Sequence, residues 1–185
     1  MARLSKPERR EQLLAVGRRV FAERPYEAVS IDELAQAAEV SKGLLYHYFP
    51  DKRAYYAAIL RASAEDVLAC TVLSPEGPPG PALHGALLRF IRYVADNEPF
   101  YRALVRGLGP GAADVELVEE VRLTILERVR SRLDLPGDEP TRSVLYGWVG
   151  YGEFVVLDWL ADRPVPPEAL AERVGRALMA LLESR

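Results

Sequence analysis

Residues 30–52 read SIDELAQAAEVSKGLLYHYFPDK, and the interpretation of the whole chain begins from this stretch. Ser30 and Glu33 match the S-x-x-E capping box, in which hydroxyl and carboxylate each accept from one unpaired amide at a helix start. Ser41 is suited to cap a second short helix, which ends before Pro50. Two short helices joined by a tight turn predict a helix-turn-helix, whose second helix enters the major groove of DNA.

The two faces of that second helix differ in character. Leu45 and Phe49 lie one turn apart, so both are predicted to face the core. The opposite face carries a cation, a glycine and two hydrogen-bonding aromatic rings: Lys42, Gly43, Tyr46 and His47. Such a face suits a groove lined by phosphates, where a glycine also allows close backbone approach.

The same stretch resembles a known family. Residues 33–56, ELAQAAEVSKGLLYHYFPDKRAYY, preceded by Phe21, Tyr26 and Ser30, look like the DNA-binding domain of TetR-family bacterial transcriptional regulators. The resemblance extends over residues 10–60, and the rest of the chain is similar only in length and helical character.

Two positions depart from that family's pattern. Glu39 stands where a turn glycine is common, which predicts a slightly strained turn. Leu44 stands where a small or hydroxylated residue is usual, and it is suited to contact a thymine methyl group.

The resemblance implies a helix-turn-helix domain over residues 1–50 and a helical domain for effector binding and dimerisation over residues 51–185. The implied phosphate contacts are Ser30, Tyr46, Tyr48 and Lys52. The implied base-facing residues are Lys42, Gly43, Leu44 and His47. Ser41 completes the predicted DNA-binding set, and Tyr48 has an alternative place in the core.

Composition limits the other possibilities. The 185 residues are 49% hydrophobic, and no apolar run approaches the ~20 residues that span a bilayer. Cys70 is the only cysteine, which excludes an internal disulfide, and the two histidines suggest no metal cluster. We therefore expect no cofactor, no membrane partner, and a bacterial cytoplasmic location with the nucleoid.

The charge distribution supports an N-terminal DNA-binding part. The net charge is −3, which by itself argues against a nucleic-acid partner. Residues 1–53 nevertheless carry 10 basic and 8 acidic side chains, whereas the remainder carries 14 and 19. All three lysines also lie in the first part, so the basic excess lies where DNA contact is predicted.

The rest of the chain is divided into helix-length pieces by SPEGPPGP (74–81), GLGPG (107–111) and PGDEP (136–140). The predicted class is all-α, a three-helix N-terminal domain followed by a helical bundle. The segment 142–163 is apolar on nearly every side, and 166–185 is amphipathic. We expect this last helix pair to dimerise as a four-helix bundle, as the resemblance also implies; a monomer burying both helices is the alternative.

The sequence contains no catalytic or nucleotide-binding motif, so we expect no enzyme. Aromatic side chains in the middle helices instead favour a pocket for a largely apolar small molecule. The candidate lining residues are Phe90, Tyr93, Tyr101, Arg122, Trp148 and Tyr151. The predicted function is a homodimeric regulator, by family default a repressor, that binds a palindromic DNA operator and is released by an effector. A DNA-binding dimer without effector and a helical small-molecule-binding protein are the alternatives.

Overall fold

The structure, a computed structural model, describes residues 4–105 and 112–184. These residues contain no strand, and the predicted all-α class is confirmed. Their helices are α1 (Lys6–Glu23), a 3₁₀ turn (Tyr26–Ala28), α2 (Ile31–Ala37), α3 (Lys42–Tyr48), α4 (Lys52–Cys70), α5 (Pro79–Asp96), α6 (Glu98–Val105), α7 (Ala112–Arg132), α8 (Glu139–Asp162) and α9 (Pro167–Glu183). The predicted loop GLGPG lies outside the described residues.

Local capping explains where the helices begin. α1 opens with a capping box that the sequence analysis overlooked, in which Ser5 N donates to the Glu8 carboxylate at 2.8 Å. α5 begins at Pro79, so the end of the predicted linker 74–81 is already helical. Proline is tolerated there because the first-turn amides have no intrahelical acceptor to lose.

The chain forms two compact units, and the division falls inside α4. The first unit comprises residues up to Ala64 together with Pro99–Leu117. The second comprises Glu65–Glu98 and Val118–Arg185. A functional boundary at residue 50 stays a prediction.

The first unit packs the helix-turn-helix onto α1 and the start of α4. Its central side chains are fully or almost fully buried: Leu13, Leu14, Phe21, Leu34, Leu45, Phe49, Tyr55 and Ile59. The hydroxyl of Tyr55 donates to the Leu13 carbonyl inside this core. Burial raises the pKa of Tyr55, so the phenol stays protonated as a donor. This core supports α3 from below.

The second unit packs α5, α8 and α9 against one another. Its core contains Leu83, Leu126, Val129, Leu145, Trp148, Val149, Val174 and Leu178. The indole of Trp148 donates to the Val174 carbonyl at 2.8 Å, so its polar atom is satisfied within the apolar interior.

Three arginines gather at the carboxyl end of α4. Arg128 donates to the Leu68 carbonyl at 2.5 Å, and Arg89 donates to the Cys70 carbonyl at 3.1 Å. Arg132 reaches the carbonyl of Ser74, just beyond the helix, at 2.8 Å. The last carbonyls of a helix have no intrahelical partner and carry partial negative charge, so Arg128 and Arg89 stabilise that end, whereas Arg132 holds the loop that follows it.

The described residues, 4–105 and 112–184, also bear on membrane and metal binding. No helix in those ranges is long and apolar enough to span a membrane. Within the same ranges, no three acidic, histidine or cysteine side chains are grouped to bind a metal ion.

Candidate nucleic-acid interface

The start of α2 is held by the predicted capping box. Glu33 N donates to Ser30 Oγ at 3.2 Å, and Ser30 N donates to the Glu33 carboxylate at 2.7 Å. Arg24 also donates to this carboxylate at 2.7 Å. Arg24 further donates to the Ala28 carbonyl, so it ties the 3₁₀ turn to α2.

These contacts set the charge state of Glu33. The hydrogen bond from Arg24, followed by those from Ser30, lowers the pKa of Glu33 to about 2. The carboxylate is therefore ionised throughout the neutral range, and the helix start stays capped there.

The turn between α2 and α3 has an unusual backbone. Glu39 has φ 54°, a left-handed conformation that residues other than glycine, asparagine and aspartate rarely adopt. The strain predicted from the missing glycine is therefore seen at this residue. Val40 N donates to the Ala35 carbonyl at 3.0 Å, and its half-buried side chain packs against the core of the first unit.

Helix α3, the predicted recognition helix, has one buried face and one exposed face, as predicted from the sequence. Ser41 caps α3, because Leu44 N donates to its hydroxyl at 3.1 Å. Leu45 is fully buried and Phe49 almost so. The opposite face is exposed and comprises Lys42, Gly43, Tyr46 and His47. The structure therefore presents these four residues to solvent above a buried anchor.

Lys42 has an acidic partner that the sequence analysis did not identify. Its ammonium lies 2.8 Å from one carboxylate oxygen of Asp32 on α2. The hydrogen bond that Lys42 donates to this carboxylate raises the pKa of Lys42. Both side chains are exposed, so solvent screens the pair and the lysine can exchange Asp32 for a phosphate. Asp32 and Lys42 are ten positions apart in different helices, so no helical periodicity in the sequence indicates that they pair.

The remaining predicted contacts occupy intermediate positions. Leu44 and Tyr48 are half-buried, and Tyr48 packs against the core of the first unit. The Tyr48 ring also meets the His47 ring edge-on, with centroids 5.4 Å apart. Part of the Tyr48 side chain thus packs in the core, as the alternative prediction states, and the rest is exposed.

Lys52 is turned toward the protein. Its ammonium donates to the carbonyls of Tyr26 and Val29, each at 2.9 Å. Next to it, Asp51 accepts from Ala54 N at 2.7 Å and so caps α4. DNA contact by Lys52, as by the other predicted residues, stays a prediction.

The six predicted ligand-lining residues are distributed over both units. Tyr101 is buried in the first unit, and the other five belong to the second. Phe90 and Tyr93 are half-buried, Trp148 lies in the core, and Tyr151 is exposed. Their role in ligand binding stays a prediction.

Arg122 is already engaged by acidic groups. It forms a two-pronged contact with Glu153 of α8, with distances of 2.7–3.1 Å, and lies 3.6 Å from Glu119. The Glu153 hydrogen bond raises the pKa of Arg122. An anionic ligand at this cation would compete with Glu153.

The second unit does contain an open pocket of about 590 Å³. Its lining residues include Arg92, Asp96, Trp159, Arg163 and the prolines at 164, 166 and 167. None of the six predicted residues lines it.

Known proteins resemble the chain along its length. The family model for bacterial regulatory proteins of the tetR family matches residues 13–59, and the model for the Tetracyclin repressor-like C-terminal domain matches residues 79–181. The HTH-type transcriptional activator FasR of Mycolicibacterium smegmatis is 40% identical over 177 residues, covering 92% of this chain and 81% of FasR.

A shorter match and a solved structure agree with this assignment. A transcriptional repressor of Mycobacterium tuberculosis is 41% identical over 69 residues, covering 37% of this chain and 36% of the repressor. The crystal structure of a tetR-family regulator from Streptomyces coelicolor superposes with a TM-score of 0.84 at 33% identity, covering 98% of this chain and 83% of that one.

These matches confirm the resemblance drawn from the helix-turn-helix and extend it over the helical body. Their members are named as transcriptional regulators rather than as enzymes. The chain belongs to the TetR family of transcriptional regulators.

Proposed function

We propose that the protein is a homodimeric regulator that binds a two-fold symmetric operator and changes its affinity for it when a small, largely apolar effector binds. The supporting observation is the exposed face of α3, with Lys42, Tyr46 and His47 above buried Leu45 and Phe49. In a dimer, two such helices would occupy successive major grooves, about 34–36 Å apart.

The surface of α8 supports dimerisation. Phe154 is 70% exposed, and Tyr146 and Tyr151 are also exposed. A Cβ built at Gly147 or Gly150 meets nothing within 4 Å, so a second helix has room to approach there. Exposed aromatic groups beside open glycines are expected where another protein surface covers a helix.

The DNA-binding proposal is tested by footprinting on DNA upstream of the gene itself and its neighbours. Lys42→Ala and Tyr46→Ala are expected to weaken binding at moderate salt, because each removes a group from the exposed face of α3. Arg61→Ala is the charge control, since it removes a cation from an exposed position of α4. Unchanged affinity in both α3 variants would refute the groove assignment.

Dimerisation is tested by introducing a charge on α8. Phe154→Glu is expected to shift the protein toward monomer in sedimentation velocity and to weaken operator binding. Val72→Glu is the matched control, because Val72 is another exposed apolar side chain, 48% accessible, outside α8. An unchanged dimer in Phe154→Glu would overturn this interface.

Effector binding is tested with a metabolite panel in the footprinting assay. The two tryptophans, Trp148 and Trp159, both lie in the second unit, so fluorescence of single Trp→Phe variants locates the responding region. An effector shifts the equilibrium only by its different affinities for the two states. If no compound changes operator affinity, the alternative of a DNA-binding dimer without effector is favoured.

The sign of regulation needs its own measurement. Repression stays the prediction from the family default. The relative named an activator matches along 92% of the chain, whereas the M. tuberculosis repressor matches only 37% of it. A reporter driven by the footprinted promoter, with and without the protein, decides between the two signs.

A further inference from the structure

The two ends of the helix-turn-helix meet at one side chain, Lys52. The 3₁₀ turn Tyr26–Ala28 leads into α2, and α4 follows α3, so residues 26–29 and residue 52 bracket both helices. The Lys52 ammonium donates to the Tyr26 and Val29 carbonyls, each at 2.9 Å. It also lies 4.0 Å from the centre of the Tyr26 ring. One cation therefore joins the chain before the motif to the chain after it.

These contacts use most of the hydrogen-bonding capacity of the Lys52 ammonium. The group has three N–H donors, and two of them are directed at carbonyl oxygens. Hydrogen bonds from a charged donor are about twice as strong as neutral ones, and the ring face adds an attraction of its own. Lys52 is half-buried, whereas the Lys42 side chain is 48% exposed. The geometry of Lys52 is that of an internal brace rather than a side chain extended toward solvent.

The segment that Lys52 holds determines where α2 begins. Val29 is only 2% exposed, so its side chain fixes the segment in the core of the first unit. Ser30 follows directly as the cap of α2, and α3 begins at Lys42 after a short turn. A displacement of residues 26–29 would therefore move α2, and α3 with it.

We propose that Lys52 is a positioning residue for DNA recognition, which closes the helix-turn-helix into a braced unit by binding the Tyr26 and Val29 carbonyls. The residue thus acts on base readout through the pose of α3, not mainly through a phosphate. This inference depends on the proposed DNA binding. It makes a prediction that a simple phosphate contact does not: losing Lys52 should reduce discrimination between sequences.

The test compares Lys52→Met with Arg53→Met in the whole 185-residue chain. Arg53 is the exposed neighbour at the start of α4, so its substitution removes one positive charge without removing the brace. Affinity is measured for the footprinted duplex and for a random duplex over a range of salt concentrations. Lys52→Met is expected to lower affinity for the footprinted duplex at least tenfold more than affinity for the random one, and Arg53→Met to lower both about equally.

The opposite pattern would overturn the proposal. A phosphate contact predicts that Lys52→Met weakens both duplexes equally and reduces the salt slope by about one. Lys52→Gln, which loses the charge but keeps N–H donors, is measured in parallel and serves if Lys52→Met does not fold. The brace predicts smaller loss of discrimination in Lys52→Gln than in Lys52→Met, whereas a phosphate contact predicts none in either variant.

Hydrogen exchange of the DNA-free protein gives an independent readout. Amides of residues 26–33 are expected to exchange at least tenfold faster in Lys52→Met than in wild type, and to be unchanged in Arg53→Met. Unchanged exchange in Lys52→Met would overturn the brace whatever the DNA results. A wild-type protein that prefers no sequence would refute the proposed function, and exchange would still decide whether the brace exists.

Discussion

Replacing Glu39 by glycine should stabilise the protein. Glu39 has φ 54° in the turn between α2 and α3, and the left-handed region costs a residue with a Cβ about 1–2 kcal/mol. Glycine removes that cost but loses more conformational freedom on folding, a penalty of about 0.5–1 kcal/mol. The free energy of unfolding is therefore expected to rise by about 0.5–1 kcal/mol, which for a chain of this size raises Tm by about 1–4 °C.

The measurement is urea unfolding at a fixed protomer concentration, because the stability of the proposed dimer would depend on concentration. Glu39→Ala separates charge from backbone conformation, since it removes the carboxylate but keeps the Cβ. Gly77→Ala is the reverse control. Gly77 has φ 74° and a Cβ there would meet nothing within 4 Å, so the same two terms predict a net loss of about 0.5–1 kcal/mol, which comes from the backbone alone. If Glu39→Gly is no more stable than Glu39→Ala, the turn stores no such strain.

Three further outcomes are expected. Gly17→Ala should destabilise the fold by about 1–3 kcal/mol in urea unfolding, because its Cβ would lie 2.8 Å from the Tyr55 hydroxyl; a more stable variant would contradict this. The Cys70 thiol, whose pKa is raised to about 11 by burial, should react with Ellman's reagent at pH 8 far more slowly in the folded than in the urea-unfolded protein; equal rates would show an accessible thiolate. The pKa of Glu33, about 2 when folded against 4.5 in the unfolded chain, means that its stabilising contribution is full above pH 4.5 and is lost as the pH falls toward 2; an NMR titration of wild type and Arg24→Ala should show the variant's pKa closer to 4.5.

Much of the local geometry of the candidate nucleic-acid interface could be predicted, because residues close together in the sequence determine it. The capping box of Ser30 and Glu33, the cap at Ser41 and the one-turn spacing of Leu45 and Phe49 depend on residues three or four positions apart. The strain at Glu39 could also be predicted from the sequence, because one position in the turn requires a left-handed backbone. Short-range geometry of this kind is encoded in spacing and residue type.

The contacts that were missed join residues distant in sequence. Lys42 pairs with Asp32 ten positions away, and Lys52 reaches carbonyls 23 and 26 positions away. A backbone carbonyl has no residue-type signature, so no pattern in the sequence identifies it as the acceptor of a particular lysine. The ligand-lining set stays a prediction, because aromatic content does not reveal whether a side chain such as Trp148 faces a cavity or the core.

The use of arginine at the carboxyl end of α4 reflects how lysine and arginine are distributed along the chain. Beyond Lys52 every basic side chain other than histidine is arginine, whose guanidinium does not lose its proton near neutral pH. Reagents that acylate primary amines on side chains will therefore label only the first 52 residues. Lys42, whose side chain is 48% exposed, should be modified faster than Lys52, which is half-buried and donates to two backbone carbonyls. Mass spectrometry of partly acylated protein would thus follow the helix-turn-helix separately from the helical body, with no engineered label.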